Sequence, residues 1–170
     1  TRDRRQRQMC IRDRSSTSGN IPVVAGGYYH TVAILEDGSI KAWGQSDYGQ
    51  LGQGNTDDIG DESNEMGDNL AAVDLGSGRT AKSVAAGLLH TVALLDNGSV
   101  KAWGYNQYGQ LGQGNINSLG DGSNEMGDNL AAIDLGSGRT ATAISAGFYH
   151  TAALLDNGTV KVWGLSLIHI

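Results

Sequence analysis

The sequence predicts an all-β fold built of β-propeller blades, about two and a half copies of a 60-residue unit within 170 residues. Three observations lead there. Marker residues recur at one fixed interval. Each copy holds two short strand-like runs around a glycine-bearing turn. One pair of facing positions exchanges its large and small residue between copies.

The interval is the first of these. His30, His90 and His150 are spaced by 60 residues, and so are Trp43, Trp103 and Trp163. Aligning 21–80 with 81–140 leaves 19 differences, and a third copy occupies 141–164. A period this long exceeds most helical solenoid units and suits a propeller blade.

The strands come next. Residues 30–35 and 39–44 are short runs rich in β-branched and aromatic residues, separated by Glu36-Asp37-Gly38. Asp96-Asn97-Gly98 and Asp156-Asn157-Gly158 stand at the same place in the other copies. A three-residue hairpin loop commonly ends on a glycine in the left-handed region, where a Cβ would clash. That turn places residue 35 opposite 39, 34 opposite 40, and 32 opposite 42. The 32/42 pair is Val/Ala in the first copy and Val92/Ala102 in the second, but Ala152/Val162 in the third. Such compensation is expected of two side chains sharing one buried volume. Val32, Ile34, Ile40 and Ala42 therefore form one buried face, with the period of two that a helix does not give.

The two ends do not share this pattern. Residues 1–14 hold six arginines and the single Cys10, and 165–170 break off a repeat. Residues 9–14 can be encoded by ATG TGT ATA AGA GAC AG, whose reverse complement reads Leu-Ser-Leu-Ile-His-Ile, the sequence of 165–170. Both ends resemble a translated sequencing-library adaptor. Residues 1–14 and 165–170 are therefore set apart from the tandem repeats at 15–164.

Charge then bounds the partners. Outside 1–14 there remain six basic residues against sixteen acidic ones, a net charge of −10 against −6 for the whole chain. That field opposes phosphate backbones and anionic lipid, so nucleic-acid binding is not expected. No apolar run reaches the ~18 residues of a membrane span, and no membrane insertion is expected. With Cys10 set apart, no disulfide frame or thiolate site remains.

Three motifs carry a family resemblance. Gly27-Tyr28-Tyr29-His30-Thr31, Gly87-Leu88-Leu89-His90-Thr91 and Gly147-Phe148-Tyr149-His150-Thr151 share Gly-x-x-His-Thr. Lys41-Ala42-Trp43-Gly44 and Tyr48-Gly49-Gln50-Leu51-Gly52 follow in fixed order. Together these resemble the regulator of chromosome condensation family, over nearly all of 21–164. The resemblance implies a seven-bladed propeller with four-stranded blades, of roughly 420 residues at this period. A piece of such a ring leaves apolar blade faces bare, so marginal stability and association are expected of it. The acidic stretch Glu65-Met66-Gly67-Asp68-Asn69-Leu70 resembles inserts of bacterial members. Some such relatives carry Cys at the places of 32 and 42. The resemblance then implies that Val/Ala replaces a cross-strand disulfide and favours an extracellular or cell-envelope setting.

Positions equal in every copy serve the blade, and positions that differ are candidates for contact with a partner. The repeated histidines stand on separate blades, too far apart for one metal ion, and no serine or cysteine nucleophile recurs beside them. A structural role in bonding backbone between strands is expected, with packing at a blade edge for the tryptophans. In family members that sense ultraviolet-B light, functional tryptophans lie in Gly-Trp-Arg-His-Thr. Here Tyr28, Leu88 and Phe148 stand in that place and no arginine follows, so photoreception is not supported. Tyr28, Tyr29, Leu88, Leu89, Phe148 and Tyr149 differ between copies at one fixed point, as do Asp47, Tyr105 and Asn106 after Trp-Gly. These nine are the candidate contacts to a protein partner, since repeated loops with variable aromatics make such a face. The alternative is that they fill space between blades. Asp61, Glu65, Asp68, Asp121, Glu125 and Asp128 could supply oxygen ligands to calcium, although no EF-hand loop is present. A structural role for the repeated acidic segment competes with that reading.

The expectation is therefore a non-enzymatic, cofactor-free binding scaffold with a protein partner. The alternatives are a module of a larger enzyme or adhesin, and the guanine-nucleotide exchange of the family's founding member.

Overall fold

The structure, a computed structural model, describes residues 23–165 of the 170. Among the described residues, nine strands form three antiparallel sheets of three, each in simple up-and-down order. The first sheet holds β1 (Val23–Gly26), β2 (His30–Ile34) and β3 (Ile40–Gly44). The second holds β4 (Ala81–Ala86), β5 (His90–Leu95) and β6 (Val100–Gly104). The third holds β7 (Ala141–Ala146), β8 (His150–Leu155) and β9 (Val160–Gly164). Of the segments set apart, 1–14 and all of 165–170 except Leu165 lie outside the described residues. Leu165 is described, and its N–H donates to Tyr149 O at 2.9 Å, as Gln45 does to Tyr29 and Tyr105 to Leu89.

The register agrees with the turn argument. Val32 faces Ala42 and Ile34 faces Ile40, while Ala152 faces Val162. Gly38, Gly98 and Gly158 each sit at φ 81°, the left-handed conformation that closes the hairpin. Val32, Ile34, Ile40 and Ala42 are all buried.

The four-stranded blade implied by the resemblance is not what the described residues form. The outer edge of β3 meets the following segment at the isolated bridges Ile40–Val73 and Gly44–Ile59, and that of β6 does so at Gly104–Leu119 and where Ile133 N–H donates to Val100 O. Between those points lies a glycine-rich, acidic stretch containing a single 3₁₀ turn, Gly67–Asn69, repeated at Gly127–Asn129. That stretch lacks alternating apolar residues, so it touches the sheet edge without extending it.

The sheets stack side by side, with the inner strands β1, β4 and β7 in contact along one line. Two apolar layers fill the gaps. Between the first and second sheets, Val32, Ile34, Ile40, Leu51 and Val73 pack on Val84, Ala93, Leu95 and Trp103. Between the second and third, Val92, Leu94, Val100, Leu111 and Ile133 meet Ala141, Ala153 and Leu155. The same positions thus serve both layers one period apart. The outward face of the third sheet has no such cover among the described residues. Val160 is 61% exposed where Val100 is fully buried, and Val162 is 64% exposed where Ala102 is fully buried.

This uncovered face should drive self-association of the chain. Replacing Val160 and Val162 by Thr should weaken that association by about 2–3 kcal/mol, the transfer free energy of the apolar groups involved. Sedimentation velocity over a concentration series reads the change. Identical behaviour of parent and variant would show that this face is not what associates.

Candidate protein-interaction face

The motif residues meet between sheets. Thr91 Oγ1 donates to Gln50 O at 2.8 Å, and the Trp103 indole N–H donates to the same carbonyl at 3.1 Å. His30 Nε2 lies 3.0 Å from Thr91 Oγ1. The hydroxyl's one proton is committed to Gln50, so it accepts from the imidazole, which places the ring proton on Nε2. The arrangement recurs one period later, with Thr151 on Gln110 O at 2.8 Å, Trp163 on Gln110 O at 2.9 Å, and His90 Nε2 at 3.1 Å from Thr151. His30 and His90 are structural, as expected, but they bond a hydroxyl of the next blade and not backbone between strands, whereas His150 is exposed. The Gly of Gly-x-x-His-Thr follows from this. A Cβ at Gly27, Gly87 or Gly147 would overlap the imidazole of its own repeat.

Burial leaves these imidazoles neutral. The pKa of His30 is lowered to about 4 by burial. That of His90 is lowered to about 4 by burial first, then by repulsion from His30 and His150.

The knot holds the feet of the loops that carry aromatic rings. Gly-x-x-His-Thr loops begin where β1, β4 and β7 end, and they are tied in series, Tyr28 N–H to Leu88 O at 3.4 Å and Leu88 N–H to Phe148 O at 3.2 Å. Tyr28, Leu88 and Phe148 rim a cavity of about 280 Å³ where the inner strands converge. The loop after Trp-Gly is tied to the same place by the Gln45 and Tyr105 backbone bonds to residues 29 and 89.

One continuous patch results. Tyr28 packs edge-on against Tyr29 at 4.4 Å between ring centroids and lies 6.1 Å from Phe148. Phe148 lies 6.3 Å from Tyr149, which reaches Tyr105 at 6.1 Å and Tyr108 at 4.8 Å. Tyr105 closes on Tyr48 at 4.7 Å. All six tyrosines and the single phenylalanine of the chain stand in this patch. Tyr28, Tyr29 and Phe148 are 57–62% exposed. Tyr105 is flanked by Tyr108, Tyr48 and Tyr149, and its pKa is raised, by desolvation first and then by those neighbours.

Seven of the nine candidate contacts are placed together here or at its rim: Tyr28, Tyr29, Leu88, Leu89, Phe148, Tyr149 and Tyr105. Asp47 is exposed beside them, its carboxylate accepting from Gln45 Nε2 at 2.6 Å. Asn106 is not on the face. It is fully buried, its amide donating to Asn115 O and Asn117 O and accepting from Leu111 N–H. It therefore clamps its own loop. Tyr48 and Tyr108 were missed by comparing copies, because they are identical in both. The signal that points to them is compositional: every Tyr and the Phe fall in loops at the same end of the strands.

The acidic segment is spent on backbone. Glu65 Oε2 accepts from the N–H of Gly60 at 2.7 Å and of Glu62 at 3.1 Å, and Glu125 does the same for Gly120 and Gly122. Asp128 accepts from Ser77 N–H at 2.8 Å, tying one repeat to the previous one. The backbone bonds hold the Glu65 carboxyl below its usual pKa, and the Ser77 hydroxyl first and its N–H second do so for Asp128. Asp121 is pushed up by desolvation and by its hydrogen bond to Glu125. Among the described residues, no three His, Cys, Asp or Glu converge on one point. The six acids named above for calcium are thus not gathered into a cage, and Glu65, Glu125 and Asp128 act as ties within and between repeats.

Comparison with known proteins agrees with this layout. Residues 23–50, 81–110 and 141–166 match the Regulator of chromosome condensation (RCC1) repeat. The chain is 28% identical over 163 residues to the ultraviolet-B receptor UVR8 of Arabidopsis thaliana, covering 95% of this chain and 33% of the receptor. It is 33% identical over 151 residues to the probable E3 ubiquitin-protein ligase HERC4 of Homo sapiens, covering 89% of this chain and 13% of the ligase. Human WBSCR16 superposes with a TM-score of 0.64 at 21% identity, over 88% of this chain and 34% of that one. Prp20p of Saccharomyces cerevisiae superposes with a TM-score of 0.61 at 25% identity, over 85% of this chain and 32% of that one. The chain thus spans about a third or less of each of these proteins.

Two outcomes follow from the knot. Thr91→Val should cost about 1–3 kcal/mol, since it strips the partner from a buried imidazole N–H. Denaturant unfolding of the variant measures that loss. The histidines also set a pH window. Their folded pKa lies below the unfolded 6.5, so the unfolded chain binds more protons and stability falls as pH drops from 6.5 toward 4. The loss approaches about 3 kcal/mol per histidine. The pH slope of unfolding free energy between pH 5 and 6 should correspond to about two protons taken up. A flat profile there would mean that His30 and His90 are not buried neutral.

Proposed function

We propose that this piece of a propeller, built of three regulator of chromosome condensation repeats, presents a protein-binding face and carries no catalytic activity of its own. The observation behind this reading is the continuous aromatic patch. Seven rings gathered at one end of three sheets, several more than half exposed, make a large rigid apolar surface rimmed by polar groups. Such rings lose little conformational entropy on contact, which is why aromatic residues dominate binding hot spots. A core role does not account for them, because the two apolar layers are complete without any of the seven. The loops that hold the rings are fixed by the buried knot, so the surface is preorganised.

The extracellular or envelope setting and bacterial origin implied by the motif resemblance belong to this proposal. A second reading, a binding module within a larger enzyme or adhesin, is favoured by the 13% share of HERC4 that the chain spans. In both cases the face does the binding and any chemistry resides in other domains.

Tyr105→Ala combined with Tyr149→Ala should weaken partner binding by about 2 kcal/mol or more while leaving the sheet circular-dichroism signal intact. The measurement is calorimetric titration of the parent and the double variant with a partner recovered by crosslinking through the patch. Unchanged affinity would move the binding site elsewhere.

A further inference from the structure

The charges around the rings are one-sided. The loops that carry them, 26–30, 44–59, 86–90, 104–119 and 146–150, contain Asp47, Asp57 and Asp58 and not one Lys or Arg. Five of the six basic residues among those described are bonded to groups outside those loops. Lys41 Nζ donates to Gly67 O at 3.0 Å, and Lys101 Nζ donates to Leu75 O and Gly127 O. Arg79 pairs with Asp96 at 3.2 Å and Arg139 with Asp156 at 3.3 Å, both at the hairpin-turn end. Lys82 donates to Asp96 O. Lys161 pairs with Ala153 within the third hairpin, three residues from the ring end. The face therefore combines electron-rich ring faces with the exposed Asp47 carboxylate, and its loops carry no competing Lys or Arg.

We infer that the aromatic face takes a cationic segment of a partner protein, one bearing several Arg or Lys. This rests on the protein-binding reading above and specifies its partner. A guanidinium or ammonium lies favourably over a tyrosine face, and more so where water is partly excluded. Asp47, exposed at the rim beside Tyr48, supplies the carboxylate that a guanidinium donates to while it stacks. The net charge of −10 outside residues 1–14 steers such a segment toward the chain and repels acidic competitors.

The test is a selection from random peptides displayed on phage, using the whole immobilised chain, counted after subtraction on the Tyr105→Ala/Tyr149→Ala variant. The enriched clones should carry a clear excess of Arg and Lys over the starting library. Their affinity should fall as salt rises, and Asp47→Asn, an exposed change that leaves the fold alone, should weaken them several-fold. A ring-dependent pool that is neutral, proline-rich or acidic overturns the cationic assignment and leaves the protein-binding reading standing. A pool without any ring-dependent clones overturns the protein-binding reading itself. Arg-rich clones that bind Asp47→Asn as tightly as the parent and ignore salt also overturn the assignment.

Discussion

The carbonyl of Gln50 is the point on which the rest of the structure turns. It accepts a hydroxyl from Thr91 and an indole N–H from Trp103, both contributed by the next repeat. A carbonyl has two lone pairs, and here both are used by groups that are themselves buried. The same hydroxyl accepts from His30 of the first repeat, so three side chains and one backbone oxygen close a circuit across the gap between sheets. Removing any member strands a polar group in a dry place, which costs more than the bond itself contributes. Apolar packing alone would let adjacent sheets slide. The directional bonds fix their offset.

That circuit explains why three motifs distant in sequence are read together. Gly-x-x-His-Thr supplies the imidazole and hydroxyl, Trp-Gly the indole, and Gly-Gln-Leu-Gly the accepting carbonyl. None is a site in the chemical sense. Each is half of a joint whose other half lies 41 to 61 residues away. The joint also determines what can vary. With the ends of each loop held, the two residues between Gly and His are free to change, as are those after Trp-Gly. The rings occupy those places, so the same bonds that join the blades hold the surface residues still.

Local elements were legible in the sequence because their physics is local. Hairpin register follows from a turn glycine, and the exchanged Val/Ala pair identifies facing positions without any structure. The buried face of β2 and β3 follows from alternation. The joint was not legible in the same way, because it depends on bonds between repeats that no periodicity reports. For the histidines the sequence pointed to structure over catalysis, but not to Thr91 or Thr151 as their partners. The fourth strand was implied by resemblance and is absent from the described residues, because residues 60–70 lack the alternation a strand needs. The acidic residues of that stretch read as ligands by composition. Their oxygens turn out to face backbone N–H groups only a few residues off, as in Glu65, or 51 residues off, as in Asp128.

Comparing copies rests on the idea that identical positions serve the blade and differing positions serve a partner. The site shows that idea failing in both directions, for physical reasons. Asn106 differs from Ser46, yet both are fully buried. In the second repeat the Asn106 carboxamide reaches across to the backbone at Asn115 and Asn117. In the first, the shorter Ser46 cannot, and Asp58 instead accepts from the Ser46 N–H at 2.7 Å, where the second repeat has Ser118. The two substitutions compensate, so variation here preserves one loop by two routes. Tyr48 and Tyr108 are identical, yet both rings are exposed and each packs on an aromatic ring of the following repeat. Their neighbours differ, since Tyr48 meets Tyr105, which stands where the first repeat has Gln45, whereas Tyr108 meets Tyr149, which stands where the second repeat has Leu89. A constant ring can thus serve an exposed face by packing on whichever variable ring the following repeat presents, and a binding surface assembled by repetition should contain both constant rings and variable ones.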